Sequence, residues 1–271
     1  MKNKLYFLAV IIAATIFVYS CDEASQPDTE TQTAIDNARA EEAVSQIYST
    51  VNHYGINEEG IKSGLSDTTC PIITVDTSIS FPRTLFVDFG ETGCVGPDGV
   101  TRKGLLKITY SGHWYDPEAN TTASVELVDY YVNSVGLEGI FSITYNGENS
   151  YGGPSFTIES DSAKLTLVSG SEITWSSTET INWVEGFDDF IYENDVILIT
   201  GSSSGVNSEG RAYESEITTE LRKEMSCDYI VSGIYELTPE GLAKRSVDFG
   251  DGECDDEATV TVNNVTLDIT L

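Results

Sequence analysis

Between Thr33 and His53, apolar side chains return every three or four positions: Ile35, Ala38, Ala40, Val44, Ile47, Tyr48 and Val51. That spacing gathers them into one stripe along a helix. Thr33 with Asp36 approximates a capping box, and Gly55 is a suitable stop. The pattern therefore predicts a single helix of about five turns, lying with its stripe against a β surface.

From Cys70 onward the period changes. Short alternating runs recur about every ten residues with turn residues between them, the rhythm of a sandwich, a barrel or a long meander. The expected strands are Ile72–Asp76, Thr84–Asp88, Gly104–Ser111, Ser124–Val132, Phe141–Tyr145, Ser155–Glu159, Lys164–Val168 and Glu172–Val184. Val196–Thr200, Ala212–Leu221, Tyr229–Leu237, Leu242–Asp248, Thr259–Asn263 and Thr266–Leu271 follow. Gly201-Ser202-Ser203-Ser204-Gly205 reads as a loop, or as a strand with a flexible middle. Short connections favour antiparallel neighbours. The expected fold is mainly β, a large antiparallel meander (curved sheet, sandwich or barrel-like) with the N-terminal helix packed on it.

One unit occurs twice. Cys70-Pro71-Ile72-Ile73 opens the first copy and Val87-Asp88-Phe89-Gly90 precedes its closing Cys94. Cys227-Asp228-Tyr229-Ile230 opens the second, and Val247-Asp248-Phe249-Gly250 precedes Cys254. In both, Asp-Phe-Gly stands six residues before the closing cysteine. The copies fall in about residues 70–110 and 227–263 of one β-rich domain, 33–271. Four cysteines admit three disulfide connectivities. The repeat favours Cys70–Cys94 and Cys227–Cys254, each closing a hairpin-like unit and contributing about 3 kcal/mol through loop entropy. Zinc is the rival reading, but no Cys-x-x-Cys pair or neighbouring histidine supports it.

The amino terminus adds an address. Lys2 and Lys4 precede an apolar run from Leu5 to Tyr19 of signal-peptide length, and Val18-Tyr19-Ser20-Cys21 resembles a lipobox. Residues 1–20 are thus expected to be removed, with the chain held to the outer membrane by lipid on Cys21, facing the periplasm or the cell surface. Residues 21–32 are acidic and poor in apolar side chains, and read as a tether. An export route also places the four remaining cysteines where disulfides form.

Charge narrows the partners. Without residues 1–20 the chain has 251 residues, carrying 12 basic and 44 acidic side chains. Nucleic acid needs clustered Lys and Arg against phosphate, so it is excluded as a partner. Acidic loops also raise the question of calcium. Asp248, Asp251, Asp255 and Asp256 crowd one turn after the second Asp-Phe-Gly, in a spacing unlike that of an EF-hand. Solvated charge is the competing reading, and no other cofactor is implied.

These motifs together resemble a family of flavobacterial-type Bacteroidota cell-envelope lipoproteins. The residues carrying the likeness are Asp88-Phe89-Gly90-Glu91 with Cys94, Asp98 to Gly104 leading into Lys107-Ile108-Thr109-Tyr110, Trp175, Trp183-Val184-Glu185-Gly186, Asp195 to Gly205, and Asp248 to Gly252 with Cys254-Asp255-Asp256. The resemblance spans essentially the whole chain after Cys21. It implies a lipid anchor and surface export, and brings no activity with it.

Candidate chemistry is sparse. The histidines, His53 and His113, lie in no nucleophile elbow and no His-Glu-x-x-His. The Asp-Phe-Gly triplets lack the glycine-rich loop, strand lysine and catalytic loop of a kinase. Asp188-Asp189 and Asp255-Asp256 are carboxylate pairs of the kind a glycosidase needs, but adjacent strand residues face opposite sides. Trp114, Trp175 and Trp183 could stack on an extracellular glycan, or could be core. The expectation is a non-enzymatic envelope lipoprotein, structural or ligand-binding, with a glycan-binding or glycan-degrading accessory protein and a calcium-dependent adhesion module as alternatives.

Overall fold

The computed structural model describes residues 28–56, 70–76, 80–96, 99–114, 120–189 and 191–271. The expected leader, Cys21 and residues 22–27 lie outside the described residues. Among the described residues one α-helix, α1 (Gln32–Ile56), precedes fourteen strands, with a single 3-10 turn at Tyr192–Asn194. The first eight are β1 (Ile72–Val75), β2 (Arg83–Asp88), β3 (Cys94–Val95), β4 (Thr101–Tyr110), β5 (Thr122–Val132), β6 (Val135–Glu148), β7 (Pro154–Thr166) and β8 (Glu172–Glu185). The remainder are β9 (Val196–Val206), β10 (Ala212–Glu224), β11 (Ile230–Pro239), β12 (Arg245–Asp251), β13 (Glu257–Val262) and β14 (Val265–Thr270). They form one antiparallel meander in chain order, with β3 set beside β4. The sheet is curved and unclosed, with β1 and β14 as its edges.

Two expected strands, Ser155–Glu159 and Lys164–Val168, are a single strand, β7. A bulge at Ser162, which has a φ of +52°, interrupts its pairing with β8 between Ser160 and Ala163. Further register shifts fall between β4 and β5, β6 and β7, β9 and β10, and β10 and β11. Each bulge adds local twist, which lets so wide a sheet curl. The Gly201–Gly205 segment is no loop: it pairs on both sides within β9.

The curled sheet surrounds the helix. α1 was expected to rest one stripe on a β face, but no residue from 33 to 55 is exposed. Its backbone and side chains are met from several directions. Tyr110 Oη of β4 donates to the Val51 carbonyl at 2.8 Å, and Tyr235 Oη of β11 donates to the Ala34 carbonyl at 2.6 Å. Ser203 Oγ of β9 donates to Asn37 Oδ1 at 3.0 Å. The cap also differs from expectation, because Glu30 rather than Asp36 accepts the Thr33 amide and hydroxyl, at 2.7 and 2.8 Å. Asp36 instead accepts the Ser208 amide at 2.7 Å, tying the β9–β10 turn to the helix. Gly55 lies within the last turn. A Cβ there would come 2.8 Å from Trp114 Cδ1, so the glycine admits the indole.

Cross-strand register explains which faces are buried. Thr122, Thr144, Thr157, Thr180 and Thr200 form one outward row across β5–β9. β-branched side chains suit such a half-exposed pleated surface. On the inner face one row runs Leu85, Ile108, Val125 and Phe141, then changes to Ser160, Ser177, Ser203 and Ser215. The apolar part packs α1's aliphatic residues, and the serines meet its polar ones.

Both repeat units are borne out in three dimensions. Cys70–Cys94 and Cys227–Cys254 are disulfide-bonded with Cα separations of 5.9 and 5.8 Å. Asp88 and Asp248 each accept the amide of the glycine two residues on, at 2.8 and 2.9 Å. Phe89 packs on Tyr130 and Phe249 on Tyr235. The triplet is thus a strand-ending turn with an aromatic plug.

The stretch expected to be free tether is fixed at its C-terminal end. Arg245, 1% exposed, binds Asp28 at 2.8 Å and Glu30 at 2.7 Å. Removing one partner of a buried ion pair strands the other charge. Arg245→Ala should lower stability by about 3–5 kcal/mol in chemical denaturation. Lys107→Ala, which breaks an exposed 2.9 Å pair with Glu126, should cost less than about 1 kcal/mol.

Candidate functional site

Where the two arms of the sheet approach each other across α1, they leave a cleft of about 530 Å³. Ala38, Arg39, Glu42, Ala43 and Gln46 form its floor, the face of the helix that i, i+4 spacing puts on one side. One wall comes from β5–β8 and their turns, chiefly Val132, Val135, Leu137, Leu165, Leu167 and Val168. Ile230, Phe249 and Leu271 make the other wall, beside Tyr229 and the Cys227–Cys254 staple. Two alanines give the floor its depth. At the rim Val168 is 78% exposed, an apolar side chain offered to the opening.

Few polar groups enter the cleft. Glu42 accepts from Lys223 Nζ at 3.0 Å and from Gln46 Nε2 at 3.0 Å. Burial raises the Glu42 carboxyl above its ordinary value, with Lys223 opposing the shift. Arg39 reaches Asp36 only at 3.5 Å, leaving a cation at the edge. Tyr229 is pushed up by burial and by Asp256, Asp228 and Glu42. Lined mainly by aliphatic side chains, the cleft suits hydrocarbon better than sugar.

The residues singled out from sequence are placed elsewhere. Trp114, Trp175 and Trp183 are 3%, 2% and 4% exposed, so none offers a ring face to solvent: of the two readings, stacking platform or core, they are core. Trp114 stacks on Phe156 at 5.4 Å and donates its Nε1 proton to Asn52 at 3.1 Å. Trp183 points its indole toward Asp195, whose carboxyl burial raises to about 7, Asp189 adding to the effect. Asp189 accepts from the Ile191 amide at 2.7 Å and Asp255 from the Glu257 amide at 3.0 Å, so both carboxylate pairs build turns. Of the four acids of the β12–β13 turn, Asp248 likewise serves the backbone, and Asp251 and Asp255 are exposed. Among the described residues no three His, Cys, Asp or Glu side chains gather as metal ligands. His113 sits edge-on to Phe81 at 4.8 Å.

What sequence reading missed is the polar belt between α1 and β7–β10. Glu41 and Glu179 are 2% and 1% exposed. Glu41 Oε1 accepts from Ser203 and Asn37, each at 3.4 Å. Glu41 Oε2 and both Glu179 oxygens have no hydrogen-bond partner, the Ser177 hydroxyl beside Glu179 being engaged with Ser160 at 2.8 Å. Burial raises Glu41 to about 7. Glu179 is raised well above the ordinary range by burial and by Glu41. Trp175 Nε1 and the Tyr213 hydroxyl, in the adjoining row, are also unpartnered. The only sequence signal was that acids and serines occupied an otherwise helical or alternating pattern.

Among the described residues no helix is long and apolar enough to cross a membrane. No family model, curated protein or solved structure matches this chain.

The belt gives a pH signature. Both carboxyls hold protons in the fold that the unfolded chain releases above about 4.5, so unfolding discharges protons and stability falls as pH rises from about 4.5 to the folded value of each, about 7 for Glu41 and higher for Glu179. Each contributes a slope approaching about 1.4 kcal/mol per pH unit in that window. In denaturation series across pH, Glu179→Gln should flatten the decline and exceed the parent chain in stability at about pH 8.

Proposed function

We propose that this chain is a cell-envelope lipoprotein, anchored through Cys21, that holds the alkyl chain of an amphiphile in the seam cleft without transforming it. The observation carrying this reading is the cleft itself. About 530 Å³ lies within the range of small-molecule sites. Its walls are aliphatic, and the exposed Val168 continues the apolar surface to the rim.

Position supports the same occupant. Asp28, fixed by Arg245, lies seven residues from Cys21, a contour of at most about 24 Å. A lipid on Cys21 would keep the cleft close to a bilayer, where alkyl amphiphiles are the abundant apolar solutes. Arg39 at the edge would meet an anionic head group, while the surrounding acids discourage contact with an anionic bilayer surface.

A fluorescent fatty acid titrated into the protein should bind saturably, one per chain, and be displaced by unlabelled alkyl amphiphiles. Ala43→Phe, which fills the floor, and Val168→Glu, on an exposed turn where folding is unaffected, should each weaken binding about tenfold, or about 1.4 kcal/mol. Non-saturable binding, or equal affinity in both variants, would contradict the proposal.

A further inference from the structure

Several acids are buried or half-buried among the described residues, and the chain supplies cations to some of them itself: Asp36 meets Arg39 at 3.5 Å. Glu42 is met by Lys223 at 3.0 Å, and Asp28 and Glu30 by Arg245. Glu41 on α1 and Glu179 on β8 are among the most deeply buried carboxyls, and the charge of Glu41 acts on Glu179; among the described residues no side-chain cation pairs with either. Two carboxylates enclosed in a medium of low polarity cannot stand uncompensated.

We propose that Glu41 and Glu179 form an internal site for one calcium ion, set between α1 and the serine row of β8–β9. Three carboxylate oxygens are free to coordinate: both of Glu179 and Oε2 of Glu41. The hydroxyls of Ser177 and Ser203 adjoin them. Gly201 stands opposite Glu179 in register and lets the two strands approach closely there, since a Cβ would collide with the Thr178 carbonyl oxygen. Every available donor is oxygen, which selects a hard cation over zinc. Calcium accepts such irregular, many-oxygen shells, whereas magnesium demands a near-ideal octahedron and retains water. Its two charges match the two carboxylates. Enclosure by α1 means that the ion enters as the chain folds and leaves only when the helix lifts.

The test refolds the mature chain from denaturant in chelator, in millimolar calcium chloride or in millimolar magnesium chloride, at about pH 8 where proton competition is weak. Metal retained after gel filtration is counted, and Tm is measured. One calcium per chain is expected, with Tm higher by several degrees and no comparable effect of magnesium. Glu179→Gln and Glu41→Gln should fold without metal, retain no calcium and show no calcium-dependent rise. Asp251→Asn should behave as the parent chain. The proposal is overturned if the parent chain retains no calcium, in which case protons alone neutralise the pair. Undiminished retention in Glu179→Gln also overturns it, as does a loss confined to Asp251→Asn, which would place the ion in the β12–β13 turn.

Discussion

A helix wrapped by one curled sheet, open only along its cleft face, must find a partner inside the protein for each polar group it buries. α1 carries many: Asp36, Asn37, Glu41, Ser45, Ser49 and Asn52 are all buried. The sheet answers them locally. Ser203 and Ser215 face Asn37, the Ser208 amide faces Asp36, and Trp114 faces Asn52. Lys223, itself 4% exposed, faces Glu42. Where these answers suffice, the helix is locked in register with the strands. Where they fall short, at Glu41 on the helix and Glu179 on β8, the carboxyls are left to protons or to the proposed ion.

The same enclosure generates the cleft. A sheet of this width curls through its bulges but does not close, so its arms meet imperfectly over the helix. Small side chains at Ala38 and Ala43 keep that gap from filling. The Cys227–Cys254 staple holds Asp228 and Tyr229 at the edge of the far wall. Binding surface and fold stability therefore draw on one element: the helix that satisfies the serine row with one face is the floor of the cleft with another.

Much of the architecture was legible in the sequence because it is written in local periodicity. The alternation from Cys70 onward located most strands, though β6 and β9 run well beyond the expected Phe141–Tyr145 and Val196–Thr200 and β3 had no expectation. The repeated Cys and Asp-Phe-Gly spacing favoured the two disulfides found. The errors share a physical cause. Asp36, Asn37 and Glu41 resemble a solvated helix face, and only the wrapping of distant strands makes them interior. Ser202 to Ser204 resemble a loop because serine, flanked here by glycines, is a turn residue, yet Ser203 points inward and donates to Asn37 of the helix. Trp175 and Trp183 share one face of β8, and that face is the inner one. The cleft had no local signature, since its walls lie 62 residues or more apart in the chain.

The central claim is that α1 is the interior of the fold and the floor of its binding cleft. Hydrogen–deuterium exchange resolved by peptide tests both parts at once. Amides of residues 33–52 should exchange as slowly as those of β6–β8, and those of residues 38–46 should slow further when an alkyl amphiphile is added. Fast, loop-like exchange of α1 beside a protected sheet, with no change on adding the amphiphile, would contradict the account.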